Sequence, residues 1–236
     1  MLEESKNYCV FKLFGTTCDE LENAVVALQT KGIVISASQE CLDGRIVVEN
    51  VSAQESEFVK ILQDINDKFV GKIYSDSDVS LAQCVVDRAL EKGVRISLAE
   101  SITGGMICSS LVDVSGSSKV LVEGLVAYME ESKVRRLHVK LKTLEKYGIV
   151  SAPVAKEMVQ GLLENSNVTL SLSTTGCAGP SSDQYDTPVG LAFIAIGNKD
   201  GITAQEVMFE GSRNYIRNCV KETALYMLLK NINNKR

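Results

Sequence analysis

From Leu81 onward, apolar strand-like runs alternate with helical runs, and this alternation restricts the possible folds more than any other feature of the chain. The periodicity predicts helices over Leu81–Lys92, Gly105–Val112, about Glu131–Leu137, Val154–Glu164 and Asn214–Asn231. Between them it predicts strands at Arg95–Ala99, Leu121–Tyr128, Val168–Thr175, Gly190–Ile196 and Thr203–Phe209. Ser151 is placed to cap the middle helix, with Pro153 in its first turn where a missing N–H costs nothing. An α/β sheet covered by helices on both faces accounts for such a pattern. In open sheets of this kind the site lies at the carboxyl ends of the strands. Three polar loops fall there: Glu100–Gly105, Tyr128–Lys133 and Thr175–Gly179.

The residues before Leu81 read differently. Strand-like Tyr8–Phe14, a helix over Asp19–Lys31, strands Ile33–Ala37 and Arg45–Val48, a helix opened by a Ser52-x-x-Glu55 capping box and running to about Phe69, and a strand at Lys72–Tyr74 form a small α+β unit. The polar run Ser75-Asp76-Ser77-Asp78 is the linker candidate, which gives expected domains of 1–76 and 77–236. The residues past Asn231 are expected to fray.

Acidic residues outnumber basic ones, 30 to 25, so the net charge is −5. That balance argues against nucleic acid or an anionic membrane as partner. The charged start, Met1–Asn7, lacks a signal-peptide core, and no run is long enough to span a bilayer. The seven cysteines show no C-x-x-C spacing, which suits a reducing cytoplasm. No metal site is expected, because His138 is the only histidine and no ligand quartet has suitable spacing. No cofactor is expected either. A lone histidine beside a basic helix, with no nucleophile near it in sequence, is a poor catalytic base. A hydrolase built on this chain would need a desolvated lysine instead.

Ala99-Glu100-Ser101-Ile102-Thr103-Gly104-Gly105 places a serine and a glycine-rich turn between a strand and a helix N-terminus. The unpartnered first N–H groups of that helix make Thr103, Gly104 and Gly105 candidate oxyanion or phosphate contacts. Alternatively, Thr103 and the glycines only cap the helix. Glu100 either meets substrate or is a buried carboxylate accepting loop N–H groups. Tyr128 ends a strand, and Lys133 lies in the next helix's first turn, where the positive end of the dipole lowers a lysine pKa. The competing reading makes Lys133 an exposed lysine on a surface helix. Gly116-Ser117-Ser118 adds hydroxyls, and the Thr175–Gly179 loop has glycines that let backbone approach a ligand.

Taken in order, A-E-S-x-T-G-G, G-S-S, Tyr128-x-x-x-x-Lys133, Gly148-Ile149-Val150-Ser151, Thr175–Pro180 and Pro188-Val189-Gly190 resemble the C-terminal domain of the CinA family over roughly Asp78 to Asn231. That domain is similar to stand-alone nicotinamide mononucleotide (NMN) deamidases of the PncC type. Phe11–Gly15 and the element order of the first segment resemble the KH-like middle domain of longer members, although no G-x-x-G loop is present. The resemblance implies hydrolysis of the NMN carboxamide to nicotinate mononucleotide and ammonia by a serine–lysine pair. It further implies that the ADP-ribose-hydrolysing first domain of full-length members has no counterpart in this sequence. Ser101 is the first candidate nucleophile and Ser118 the second, with Lys133 as base and Tyr128 orienting the lysine or donating to the leaving amine. Thr175 and Gly176 would contact substrate, and Arg213 or Arg217, in an element like the family's G-D-R-x-x-V-R, would pair with its phosphate. A homodimer is expected.

The sequence departs from the family pattern in three places. Ile102 stands where the family has cysteine, and Ala127-Tyr128-Met129-Glu130-Glu131 replaces T-Y-S-N-E. The Ser181–Thr187 turn has neither the family's glycines nor its lysine. Glu130 and Asp183 would disfavour a phosphate if they face the pocket. A non-catalytic nucleotide-binding or regulatory protein is therefore the alternative reading, and an amidase for another substrate is a third.

Overall fold

The computed structural model describes residues 7–164 and 167–234. The chain divides into two compact units, Met1–Ser80 and Leu81–Arg236, so the division falls just beyond the expected linker.

The first unit runs β1 (Tyr8–Phe14), α1 (Cys18–Ala27), β2 (Ile33–Glu40), β3 (Asp43–Asn50), α2 (Glu55–Lys68) and β4 (Ile73–Ser75). Its sheet is antiparallel in the order β2-β3-β1-β4, the split βαβ arrangement of ferredoxin-like units. Alternation along β1 and β3 turns Phe11, Leu13, Ile46 and Val48 toward Leu21 and Ala24 of α1 and Phe58, Ile61 and Ile65 of α2. Each fully buried side chain of this kind contributes about 1.5–3 kcal/mol.

The capping box lies elsewhere than expected. Thr17 and Glu20 form one at the start of α1, whereas α2 starts at Gln54 without a side-chain cap. Ser52 is drawn away from the helix start: its N–H and that of Val51 donate to the Gly32 carbonyl. The Asn50 side chain takes the Ala53 N–H instead, at 2.9 Å. Helix α1 stops at Ala27 rather than Lys31.

The second unit contains α3 (Leu81–Glu91), β5 (Ile96–Glu100), α4 (Met106–Val112), a 3₁₀ turn (Ser117–Lys119), β6 (Leu121–Val126), α5 (Glu130–Leu137), α6 (Leu141–Tyr147), α7 (Ala152–Leu162), β7 (Leu170–Gly176), β8 (Leu191–Asn198), β9 (Gly201–Met208) and α8 (Arg213–Asn234). Its sheet order is β6-β5-β7-β8-β9, with β5 parallel to both β6 and β7 and the last two strands antiparallel. Helices α3, α4 and α8 pack together on one face, and α5, α6 and α7 on the other. The period of two decides which residue meets which layer. Ala99 joins the α5–α7 core, and Ser173 donates to the Ala155 carbonyl of α7 at 2.7 Å. Glu100 and Thr174 point to the opposite face. The mixed α/β architecture expected from the alternation is therefore present.

Helix α6 has no counterpart in the sequence reading. It is short and mostly exposed, with Leu144 as its buried residue, and is held by Glu157 of α7, which accepts from the Lys140 N–H and the Thr143 hydroxyl. Helix α8 continues to Asn234, past the expected fraying point, because Ile232 is fully buried. Residues 235–236 lie outside the described residues.

Candidate functional site

The carboxyl ends of β5, β6 and β7 meet at one place, and the candidate residues follow them. The Ser101 N–H extends the β5–β7 ladder by donating to Thr174 O at 3.0 Å, so the serine is placed by the sheet itself. Positive φ angles at Gly104 (60°) and Gly105 (95°) then fold the chain back over the strand end.

The fully buried Glu100 carboxylate accepts from the N–H groups of Gly105 (2.9 Å), Ile107 (3.1 Å) and Cys108 (2.8 Å). Glu100 thus fastens α4 to the strand, at about 1.5–3 kcal/mol for each bond to a charged group. The Gly105 N–H is spent on this carboxylate and is removed from the expected oxyanion contacts. Thr103 is also structural: it is fully buried, with its hydroxyl 2.8 Å from that of Thr174. Arg217 of α8 grips the loop from behind, donating to Ile102 O at 3.0 Å and Thr103 O at 2.9 Å. Its expected phosphate role is corrected to that of a clamp on the serine loop. A side chain at Gly104 would crowd this guanidinium, with its Cβ 3.1 Å from Nη2.

Lys133 approaches from the other layer. It is completely buried, which rules out a surface role. Its Nζ lies 2.9 Å from Ser101 Oγ, 2.8 Å from Ala127 O and 3.4 Å from Tyr128 O. Desolvation pushes the amine down to about 8, and the nearby Glu130 carboxylate acts in the opposite direction. Burial, rather than the helix dipole, is therefore the leading cause. A neutral amine has two N–H groups and one lone pair. As an ammonium, Lys133 Nζ donates to Ser101 Oγ and to both carbonyls; once it is deprotonated the carbonyls keep its two N–H groups and the lone pair faces the Ser101 hydroxyl. The arrangement can accept a proton from that serine.

Ser118 does not join this pair. It is exposed on the 3₁₀ turn that precedes β6, at the Ile96/Leu121 end of the strands. Ser101 lies at the other end of β5, a strand of five residues spanning roughly 16 Å. The turn cannot fold back across that length, so Ser118 is corrected to a surface residue.

Tyr128 orients the lysine through its backbone carbonyl. Its side chain, 55 % exposed, turns outward, and its hydroxyl lies 3.1 Å from Arg213 Nη2. Arg213 also donates to the Gly179 carbonyl. A cavity of about 330 Å³ opens beside Ser101, bounded by Ile102, Tyr128, Ile149, Val150, Arg213 and the stretches 175–179 and 181–183. The buried Thr175 donates its hydroxyl to Ile149 O at 2.9 Å. Gly176 permits close packing there, since an added Cβ would come within 2.7 Å of both Ala192 Cβ and Ile102 Cδ1.

Asp183 lines the cavity, the position in which it would disfavour a phosphate, and Cys177 lines it without having been singled out. The T-G-x-A-G-P motif was the available signal for Cys177. Asp183 organises its own turn, accepting from the N–H groups of Tyr185 and Thr187 at 3.0 Å each and from the Thr187 hydroxyl at 2.9 Å. Among the described residues, no group of three His, Cys, Asp or Glu side chains is arranged to hold a metal ion. No described helix is long and apolar enough to cross a membrane.

The fold and site define an α/β domain that carries a buried serine–lysine pair at the ends of three parallel strands. The family model of the CinA C-terminal domain matches residues 78–232, and the chain belongs to that family. It is 35% identical over 235 residues to a protein of Alkaliphilus oremlandii that bears the name competence-damage inducible protein, covering 97% of this chain and 57% of that protein. A relative of the same name from Clostridium kluyveri is 38% identical over 185 residues, covering 77% of this chain and 45% of its own length. The chain thus spans about half the length of the curated relatives it matches. Among solved structures, the competence/damage inducible protein CihA from Agrobacterium tumefaciens superposes with a TM-score of 0.62 at 34% identity, covering 65% of this chain and 94% of that one.

Proposed function

We propose that the second unit is an amidohydrolase that deamidates NMN to nicotinate mononucleotide and ammonia. One observation carries the reading: the 2.9 Å contact between Ser101 Oγ and a fully buried Lys133 amine whose N–H groups are engaged by backbone carbonyls. Ser101 Oγ attacks the carboxamide carbon while its proton passes to Lys133 Nζ. The resulting ammonium returns that proton to the departing nitrogen, the C–N bond breaks, and ammonia leaves a nicotinoyl ester on Ser101. Water then attacks the ester carbon, again losing a proton to Lys133. The acid is released and the serine regains its hydrogen. A lysine with a pKa near the working pH suits both proton transfers. Arg213, which lines the cavity, pairs with the substrate phosphate in this reading.

The choice of NMN rests on the family's motif order and on a cavity of suitable size for a small molecule. A second reading, nucleotide binding without turnover, is favoured by the departures from the family pattern in the Tyr128–Lys133 loop and by the glycines missing from the Ser181–Thr187 turn. Purified protein incubated with NMN and assayed for ammonia and nicotinate mononucleotide separates the two. Stoichiometric release beyond one turnover supports the amidase, while tight NMN binding with no ammonia selects the binding protein.

A further inference from the structure

The segment between β7 and β8 has an internal organisation that the proposed chemistry does not require. Ser181, Ser182 and Asp183 form part of the cavity wall beside Ser101. The Asp183 carboxylate then closes the turn on itself through Tyr185 and Thr187, so the segment is pre-shaped. Both ends are held. Arg213 grips the Gly179 carbonyl at one end, and Thr187 is buried at the other. The middle is tied across to α5, where Glu130 Oε1 accepts from the Tyr185 hydroxyl at 2.7 Å and from Gln184 Nε2 at 3.3 Å. Glu130 lies one helical turn from Lys133 on the same helix. The tie therefore links one cavity wall to the element that holds the base.

We propose that Ser181–Thr187 is a strap over the cavity, fastened by Tyr185 and Gln184 to Glu130, and that this fastening sets the size of acyl group that reaches Ser101. It rests on the reading of Ser101 and Lys133 as the reacting pair. Fastened, the strap holds the cavity near 330 Å³ and admits compact acyl groups. Released, it lets the wall formed by residues 181–183 move outward, and longer acyl groups enter. Pre-shaping by Asp183 keeps the entropic cost of fastening small, so one charged acceptor with two donors is enough to hold it. Glu130 and Tyr185 are thus specificity-determining residues that do not touch the reacting atoms.

The test uses p-nitrophenyl acetate and p-nitrophenyl hexanoate, with acylation of Ser101 read by p-nitrophenolate release and by intact mass. The ratio of the two rates is the informative quantity. Glu130→Ala also alters the charge near Lys133, but the nucleophile is common to both esters and its strength cancels in the ratio. The intact protein is expected to favour the acetate. Tyr185→Phe and Glu130→Ala should each raise the relative rate on the hexanoate by about five- to tenfold, and the double variant should go no further than Glu130→Ala alone, because that variant already removes the acceptor of the whole tie. Ratios unchanged in either single variant, or effects that multiply in the double, would overturn the strap. If neither ester acylates Ser101, the reacting-pair reading fails. Amide hydrogen exchange over residues 181–187 then decides the strap alone: faster exchange in both variants supports it, and unchanged exchange refutes it.

Discussion

Replacing Lys133 by methionine separates the cost of the buried amine from its chemical use. The amine is fully buried and its pKa falls from 10.5 to about 8. That difference of roughly 2.5 units, at about 1.4 kcal/mol per unit, is about 3 kcal/mol by which protonation favours the unfolded chain. Because the folded pKa is the lower one, the unfolded chain binds more protons between about pH 8 and pH 10.5. Wild-type stability therefore rises with pH across that window, and the full penalty is present below it. Methionine fills a similar volume without a charge but leaves the Ala127 and Tyr128 carbonyls without their partner. That loss offsets about 1–2 kcal/mol of the gain. Lys133→Met is thus expected to unfold at higher urea concentration at pH 7, by about 1–2 kcal/mol, while losing turnover on the order of a hundredfold or more. Urea unfolding of both proteins at pH 7 and pH 10, followed on the transition of the second unit, checks it. Lower stability of the variant at pH 7, with the same difference from wild type at both pH values, would refute the desolvated-lysine argument.

Glu100→Gln should destabilise the second unit by about 1–3 kcal/mol in the same unfolding assay, because a neutral amide cannot accept all three N–H bonds made by the carboxylate. The two arginines should separate kinetically. Arg217→Ala loosens the serine loop and is expected to lower kcat, whereas Arg213→Ala removes a cavity cation and is expected to raise KM for NMN by about tenfold. Ser118→Ala should leave kcat/KM within about twofold of wild type, as surface substitutions generally do. A large loss would return Ser118 to the site.

The sheet and the location of the site were legible because a period of two, interrupted by polar loops, marks strand ends directly. The family resemblance carried by the same loops made Lys133 the base and Ser101 the first candidate nucleophile, with Ser118 the second. Less legible were features set by which partner a group finds in space. Glu100 reads equally as a substrate contact or a structural acceptor until the first turn of α4 folds onto it. Arg213 and Arg217 lie four residues apart, and the sequence left either one to meet the phosphate. Only packing sends Arg217 behind the serine loop and Arg213 to the cavity. Ser52 satisfied the capping pattern, but the turn at Gly32 claimed its backbone first. Helix α6 escaped detection because, with Leu144 as its buried residue, it has almost no apolar stripe.

The most direct test of the serine–lysine account is the pH dependence of kcat/KM for ammonia release from NMN, measured between about pH 6 and pH 10. A base that must be neutral to accept the Ser101 proton predicts a rate that climbs about tenfold per pH unit and levels off near pH 8, with the profile lost in Lys133→Met. A rate independent of pH across that range, or the same profile surviving in Lys133→Met, would contradict it.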